Sequence, residues 1–344
     1  MSRHHMRRRA AVAATLLVAT AASCGRERTP AAGSADSAAA GEPITVFAAG
    51  SLARPMRAAL DSFARHTGTT YTLESAGSLE LARRLTDLGK SADLVALADE
   101  DVFPRFLMPG KVTWYARFAR NRLVLAYGAN AKRVSEAEAG DWRSVLQRPE
   151  VETGRADPDL DPAGYRTLML FQLAERHYAE PGLAKRLEAS APRRNMRPKS
   201  AELVALLQSN EIDYAWMYES SARGARLSFV AVPPDIDLGD ERLAAAYGAA
   251  RVRVLGAEPG DSIEMTGTPI RYGLSIPTGA PHAARAADFV RYLFSPAGQR
   301  VLKGEFLDAL DAPIVIGEGR PPFIDSLATG RAGEAKPASD SARR

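Results

Sequence analysis

The 344-residue chain contains one cysteine, three tryptophans and five histidines. A single cysteine excludes an internal disulfide. Beyond residue 23 only His66, His177 and His282 remain, without the spacing that an imidazole-ligated metal site requires, so each reads as a surface or packing residue. Neither a G-x-S-x-G turn nor a G-x-x-x-x-G-K-[ST] loop occurs, which leaves serine-hydrolase and P-loop chemistry without their parts. The N-terminal apolar run, Ala10 to Ala22, is shorter than the roughly 20 residues that cross a bilayer. An excess of one charge is also missing. The net charge of +4 comes from Arg3, Arg7, Arg8 and Arg9; the rest of the chain holds 41 basic and 41 acidic residues, and no nucleic-acid partner is expected.

What is present is ordinary globular composition, 46% hydrophobic and 25% charged. The arginine cluster, the apolar run and the small residues Ala21-Ala22-Ser23 form a secretory signal over residues 1 to 23. Cys24 follows directly, and its position resembles a bacterial lipoprotein signal, in which the cysteine becomes the lipidated first residue. The alternative is an ordinary secretory peptide that happens to contain a cysteine. Residues 24 to 42 carry no large apolar side chain and read as a flexible tether, lipid-anchored through Cys24 in the bacterial cell envelope, periplasmic or on the outer face of the membrane. Residues 327 to 344 have similar composition and are expected to form a disordered tail.

Between these ends, ITVFAA, YTLES, ADLVALA and RLVLAYG alternate with helical patterns whose apolar faces include Leu52, Met56, Leu60 and Phe63, then Leu81, Leu85 and Leu88. This βαβαβ order predicts a mostly parallel sheet covered by helices, with ligands beyond the carboxyl ends of its strands. Later come a helix over Pro162 to Tyr178, another over Glu202 to Gln208, the strands IDYAWMY and PIRYGLSI, and a helix carrying His282, Ala286, Phe289, Val290 and Leu293 on one face. One large doubly wound sheet and two α/β lobes both fit this pattern.

Four places offer chemistry. Ala-Gly-Ser-Leu occurs at 49 to 52 and again at 76 to 79, each time between a strand and a helix. Serine at a helix start is a common cap. Two such termini, with the Ser51 and Ser78 hydroxyls added, also make a neutral receptor for an anion. Asp161-Pro162 is a helix start in its own right, and Glu219 follows the strand IDYAWMY. Two carboxylates repel an anion in a dry cleft unless they bond to a metal centre inside it. Tyr165 and Tyr218 read as packing residues with possible hydrogen bonds. As general acid and base the two carboxylates would suit a cleft enzyme, but little else in the chain supports catalysis. A ferric-ion site on Tyr214 and Tyr218 is a less favoured alternative.

Residues 44 to 325 resemble the tungstate/molybdate-binding proteins of ABC importers, on AAGSL at 48 to 52, SAGSL at 75 to 79, FARNRLVLAY at 118 to 127, DPDLDPAGYRTLM at 157 to 169, DYAWMYESSA at 213 to 222 and PPDIDLGD at 233 to 240. The resemblance implies an α/β, two-lobed type II periplasmic-binding-protein fold with two hinge strands and a cleft between the lobes. Lobe 1 would comprise 43 to 126 and 271 to 326, and lobe 2 would comprise 127 to 270. It implies that Ser51 and Ser78 bond the oxo groups of tungstate or molybdate, while Asp161 and Glu219 approach the metal and raise its coordination number. It implies an ABC permease and its ATPase as partners, a monomer, no cofactor and no enzymatic activity. Ala163 stands where relatives often carry Cys, and Trp216-Met217 where Phe-Glu is commoner. Phosphate- or sulfate-type oxyanions are the runner-up ligands.

Overall fold

The computed structural model describes residues 42–256 and 260–329. Cys24, the signal segment, the tether up to residue 41 and the tail beyond 329 lie outside the described residues. Thirteen strands are found among them: β1 Ile44–Ala49, β2 Tyr71–Ala76, β3 Leu94–Leu97, β4 Trp114–Arg120, β5 Leu123–Tyr127, β6 Thr153–Ala156, β7 Met196–Arg197, β8 Tyr214–Tyr218, β9 Ser228–Ala231, β10 Arg251–Leu255, β11 Ser262–Thr266, β12 Arg271–Ser275 and β13 Asp308–Gly317. A six-stranded sheet has the order β13-β4-β12-β3-β1-β2, and a five-stranded sheet has the order β7-β6-β8-β5-β9. These are the cores of two lobes. The chain passes from the first sheet to the second between Arg120 and Leu123; after β9 it forms a separate two-stranded sheet, β10-β11, and it rejoins the first sheet at Arg271.

Two boundaries differ from expectation. LVLAY, assigned to lobe 1 through residue 126, is β5 and pairs with β8 and β9 of the second sheet. The helix Pro322–Ala328 carries Leu327 into a buried position, so the boundary at 327 comes too early for a disordered tail. The sheets are also mixed rather than mostly parallel. β1 lies parallel to β2 and β3, but β12 runs antiparallel to both β3 and β4.

Local chemistry accounts for the elements around the site. β1 is buried along nearly its whole length because helices cover both faces of its sheet, which is why ITVFAA reads as a continuous apolar run. The helix Ala53–Thr67 buries Met56, Leu60 and Phe63 and stops at Gly68, whose φ of 71° a residue with a Cβ adopts at a cost. In the second sheet the strand alternation divides the core. Tyr214, Trp216 and Tyr218 face the main apolar cluster, while Ala215 and Met217 face a smaller one with Val124, Ala126 and Leu207. Trp216 packs edge-on against Trp142 and Phe171, with centroids 5.4 and 5.6 Å away.

Candidate functional site

The carboxyl ends of β1, β2 and β3 meet those of β6 and β8. The turns after these strands touch across the lobe boundary. A Cβ on Gly77 would lie 2.1 Å from the Leu160 carbonyl oxygen, so glycine is required for this approach. That carbonyl accepts hydrogen bonds from the Leu79 and Glu80 N–H groups at 3.1 and 3.4 Å, occupying two of the free donors at the start of the helix Ser78–Thr86. Those two donors, expected to face an anion, are taken by the opposite lobe.

The serines of the two Ala-Gly-Ser-Leu turns are buried and neither caps a helix. Ser51 Oγ accepts from the Tyr272 hydroxyl at 3.0 Å, which in turn accepts from Asn121 Nδ2 at 3.0 Å. Ser78 Oγ accepts from the Ala98 N–H at 3.0 Å. Each serine is thus held through its oxygen, and among the described residues neither hydroxyl proton has a separate acceptor. The capping explanation fails for both.

Asp161 does cap: its Oδ1 accepts from the Ala163 N–H at 2.8 Å, with Pro162 at the first position of the helix Pro162–His177. Its Oδ2 accepts from the Ser200 N–H at 3.0 Å. Burial pushes the carboxyl up to about 6, against the pull of those two N–H groups and of the Arg166 and Lys199 charges.

An ion-paired group that sequence reading passed over joins the lobes beside these residues. Arg166 Nη2 lies 3.0 Å from Asp99 Oδ2, and both side chains are almost wholly buried. Arg166 Nη1 donates to the Ala98 carbonyl at 2.6 Å and to the Tyr218 hydroxyl at 2.8 Å. The Tyr165 hydroxyl donates to Asp99. Burial alone would lower Arg166; Asp99 and the two tyrosine hydroxyls outweigh it and hold the guanidinium above its ordinary value. Tyr165 and Tyr218 therefore do more than pack. Arg166 stood within DPAGYR, but its burial is set by the fold and no local feature of the sequence announces it.

Glu219 is engaged by a different set of partners from the other three. Its carboxylate is held by Arg122 Nε and, at 2.5 Å, by Arg223 Nε. Burial acts to raise it, but the bonds to these two arginines win and keep it below its ordinary value. It lines a cavity of about 610 Å³ beside the first lobe crossing, with Arg120, Asn121, Arg122, Arg223 and Asp240. The charges acting on Asp161 are Arg166 and Lys199; those on Glu219 are Arg122 and Arg223. The two carboxylates are thus held by different partners. Met217, where relatives more often carry Glu, is fully buried in the smaller apolar cluster.

Two lobes joined by two crossings, with a polar cluster between them, define a solute-binding protein. The chain belongs to the family described as bacterial extracellular solute-binding protein, which matches residues 44–307. An uncharacterized solute-binding protein of Petrotoga mobilis is 36% identical over 271 residues, covering 78% of this chain and 84% of its own. A protein named molybdate/tungstate-binding protein WtpA from Pyrococcus abyssi is 30% identical over 301 residues, covering 80% and 86%. Among solved structures, the periplasmic molybdate-binding protein of Azotobacter vinelandii aligns with a TM-score of 0.54 at 16% identity, over 77% of this chain and 98% of that one. The sulfate-binding protein SubI of Mycobacterium tuberculosis H37Rv aligns with a TM-score of 0.55 at 14% identity, over 83% and 90%. At such identities these two speak to the fold alone.

Proposed function

We propose that the protein captures tungstate or molybdate between its lobes and delivers it to an ABC permease and its ATPase, acting as a monomer tethered outside the cell membrane by a lipid on Cys24. The observation that carries this reading is the contact, at the lobe boundary, of the turns that hold the non-capping Ser51 and Ser78 with the segments of the buried Asp161 and Ser200. Relatives named molybdate/tungstate-binding at 30% identity support the choice of ligand. Hydroxyl donors suit oxo groups. Asp161 is the one carboxylate of the cluster that would approach the metal. Hard oxygen donors suit a hexavalent centre, and tungsten and molybdenum accept further ligands where the sulfur of sulfate does not, so Asp161 would select for them and repel sulfate. We leave Glu219 out of this ligand set, because Arg122 and Arg223 engage both its oxygens.

Calorimetric titration with tungstate, molybdate, sulfate and phosphate tests the reading. Tungstate at about 1,000 times its dissociation constant should add roughly 4 kcal/mol of stability. Binding of sulfate or phosphate alone would transfer the assignment to that anion. For the anchor, Cys24→Ser should release the protein from membranes into the soluble fraction; retention through a high-salt wash would place the anchor elsewhere.

A further inference from the structure

We infer that Asn121 and Tyr272 are positioning residues for the oxyanion: acting from the lobe crossing, they set the direction of the Ser51 hydroxyl and leave its proton for an oxo group. The inference rests on the oxyanion reading above. Asn121 lies in the crossing between β4 and β5, and its N–H donates at 3.2 Å to the carbonyl of Ile270, the residue before β12. Its side-chain oxygen accepts from the N–H groups of Arg122 at 3.0 Å and Ser220 at 3.4 Å. Those two backbone donors fix the amide's orientation, because a flipped amide would set its own NH2 group against them. Nδ2 therefore points the other way, donating to the Tyr272 hydroxyl at 3.0 Å and to Ser220 Oγ at 2.7 Å.

An amide NH2 group only donates, so the Tyr272 oxygen is the acceptor in this contact and its proton is free for another. That proton goes to Ser51 Oγ, 3.0 Å away. Tyr272 is fully buried, and burial holds its hydroxyl above its ordinary value, so the proton stays in place to be donated. The Tyr272 ring stands edge-on to Tyr218, with centroids 5.7 Å apart. A serine free to rotate can turn a lone pair toward an anion, which repels it. Ser51 has its oxygen engaged by Tyr272 and so presents its proton instead, the polarity being passed along the chain from the amide. Ser78 reaches the same state by a shorter route, since the Ala98 N–H donates directly to its Oγ. Ser78 is thus independent of the relay and serves as its control.

Calorimetry with tungstate, molybdate, sulfate and phosphate on double-mutant cycles tests the relay. Tyr272→Phe keeps the ring and deletes the hydroxyl; it should weaken whichever anion the wild type takes up by about threefold. In a Ser51→Ala background the same change should leave affinity where it was, because the serine through which it acts is gone. In a Ser78→Ala background the loss of about threefold should return in full. A hydroxyl with a merely structural role would lower affinity by the same factor in all three. Asn121→Asp replaces the NH2 group by an oxygen that accepts from Tyr272, which frees the Tyr272 oxygen to accept from Ser51 and turns the serine proton away from the anion. It should weaken binding about tenfold or more, and by less in Ser51→Ala, where only its added charge acts. Tyr272→Phe binding as wild type does, or losing the same factor with and without Ser51, overturns the relay and leaves the oxyanion reading standing. A wild-type protein that binds none of the four anions overturns the oxyanion reading itself, and this inference with it.

Discussion

Asp161 and Glu219 look alike in the sequence, each an acidic residue at the junction of a loop or strand with a helix, yet the fold gives them opposite surroundings. Asp161 is almost wholly buried, held by two backbone N–H groups, and lies among serines whose hydroxyl protons have no separate acceptor. Glu219 sits beside an open cavity with arginines on both its oxygens. Burial with donors left over makes a receptor; a half-buried carboxylate with an arginine on each oxygen makes an ion-pair network. The distinction comes from residues remote in sequence, since Arg122 is 97 positions from Glu219 and Ser200 is 39 from Asp161.

The sharpest way to break the buried side of this comparison is through the ion pair that spans the lobes. Arg166→Met strands Asp99 without its partner and should cost about 3–5 kcal/mol, the usual penalty for an uncompensated buried charge. Denaturant unfolding measures it. Arg166→Lys should recover only part, because an ammonium cannot reproduce the three contacts that the guanidinium makes to Asp99, Ala98 and Tyr218.

The raised carboxyl of Asp161 gives a pH signature of intermediate size. A carboxyl at about 6 in the folded protein binds its proton more tightly than in the unfolded chain, where about 3.9 is ordinary. Its contribution to stability is therefore fully present below about pH 4 and is lost as pH rises through 6. Asp237, also raised to about 6 chiefly by burial, acts in the same direction. Ligand-free protein should melt at a higher temperature at pH 5 than at pH 7, and Asp161→Asn should flatten part of that slope. The variant also loses a backbone contact, because one amide oxygen cannot replace both carboxylate oxygens that now accept from Ala163 and Ser200.

Smaller effects belong to the two turns. Ser51→Ala and Ser78→Ala should each weaken tungstate and sulfate alike by on the order of 1 kcal/mol, read by calorimetry, since each deletes one neutral hydrogen bond and no metal contact.

Much of this arrangement was legible. The apolar faces of the helices Ala53–Thr67 and Ala283–Leu293, the strand IDYAWMY and the glycine turns all declare themselves by periodicity or turn chemistry. Leu88, read as part of an apolar face, is 67% exposed because the helix Ser78–Thr86 ends before it. The sheet to which LVLAY belongs was not legible, because β5 is almost uniformly buried and carries no alternation to say which partners it takes. Nor was the fate of Glu219. A sequence places a carboxylate at the start of a helix, but only the fold brings Arg122 and Arg223 to it.

Titration of tungstate into Glu219→Gln beside wild type tests the central claim most directly. Because Glu219 serves an exposed arginine network worth about 0–1 kcal/mol, the account predicts the same affinity within about twofold and a small change in melting temperature. A loss of tungstate binding of tenfold or more, with the fold intact, would return Glu219 to the anion and contradict the separation of the two carboxylates.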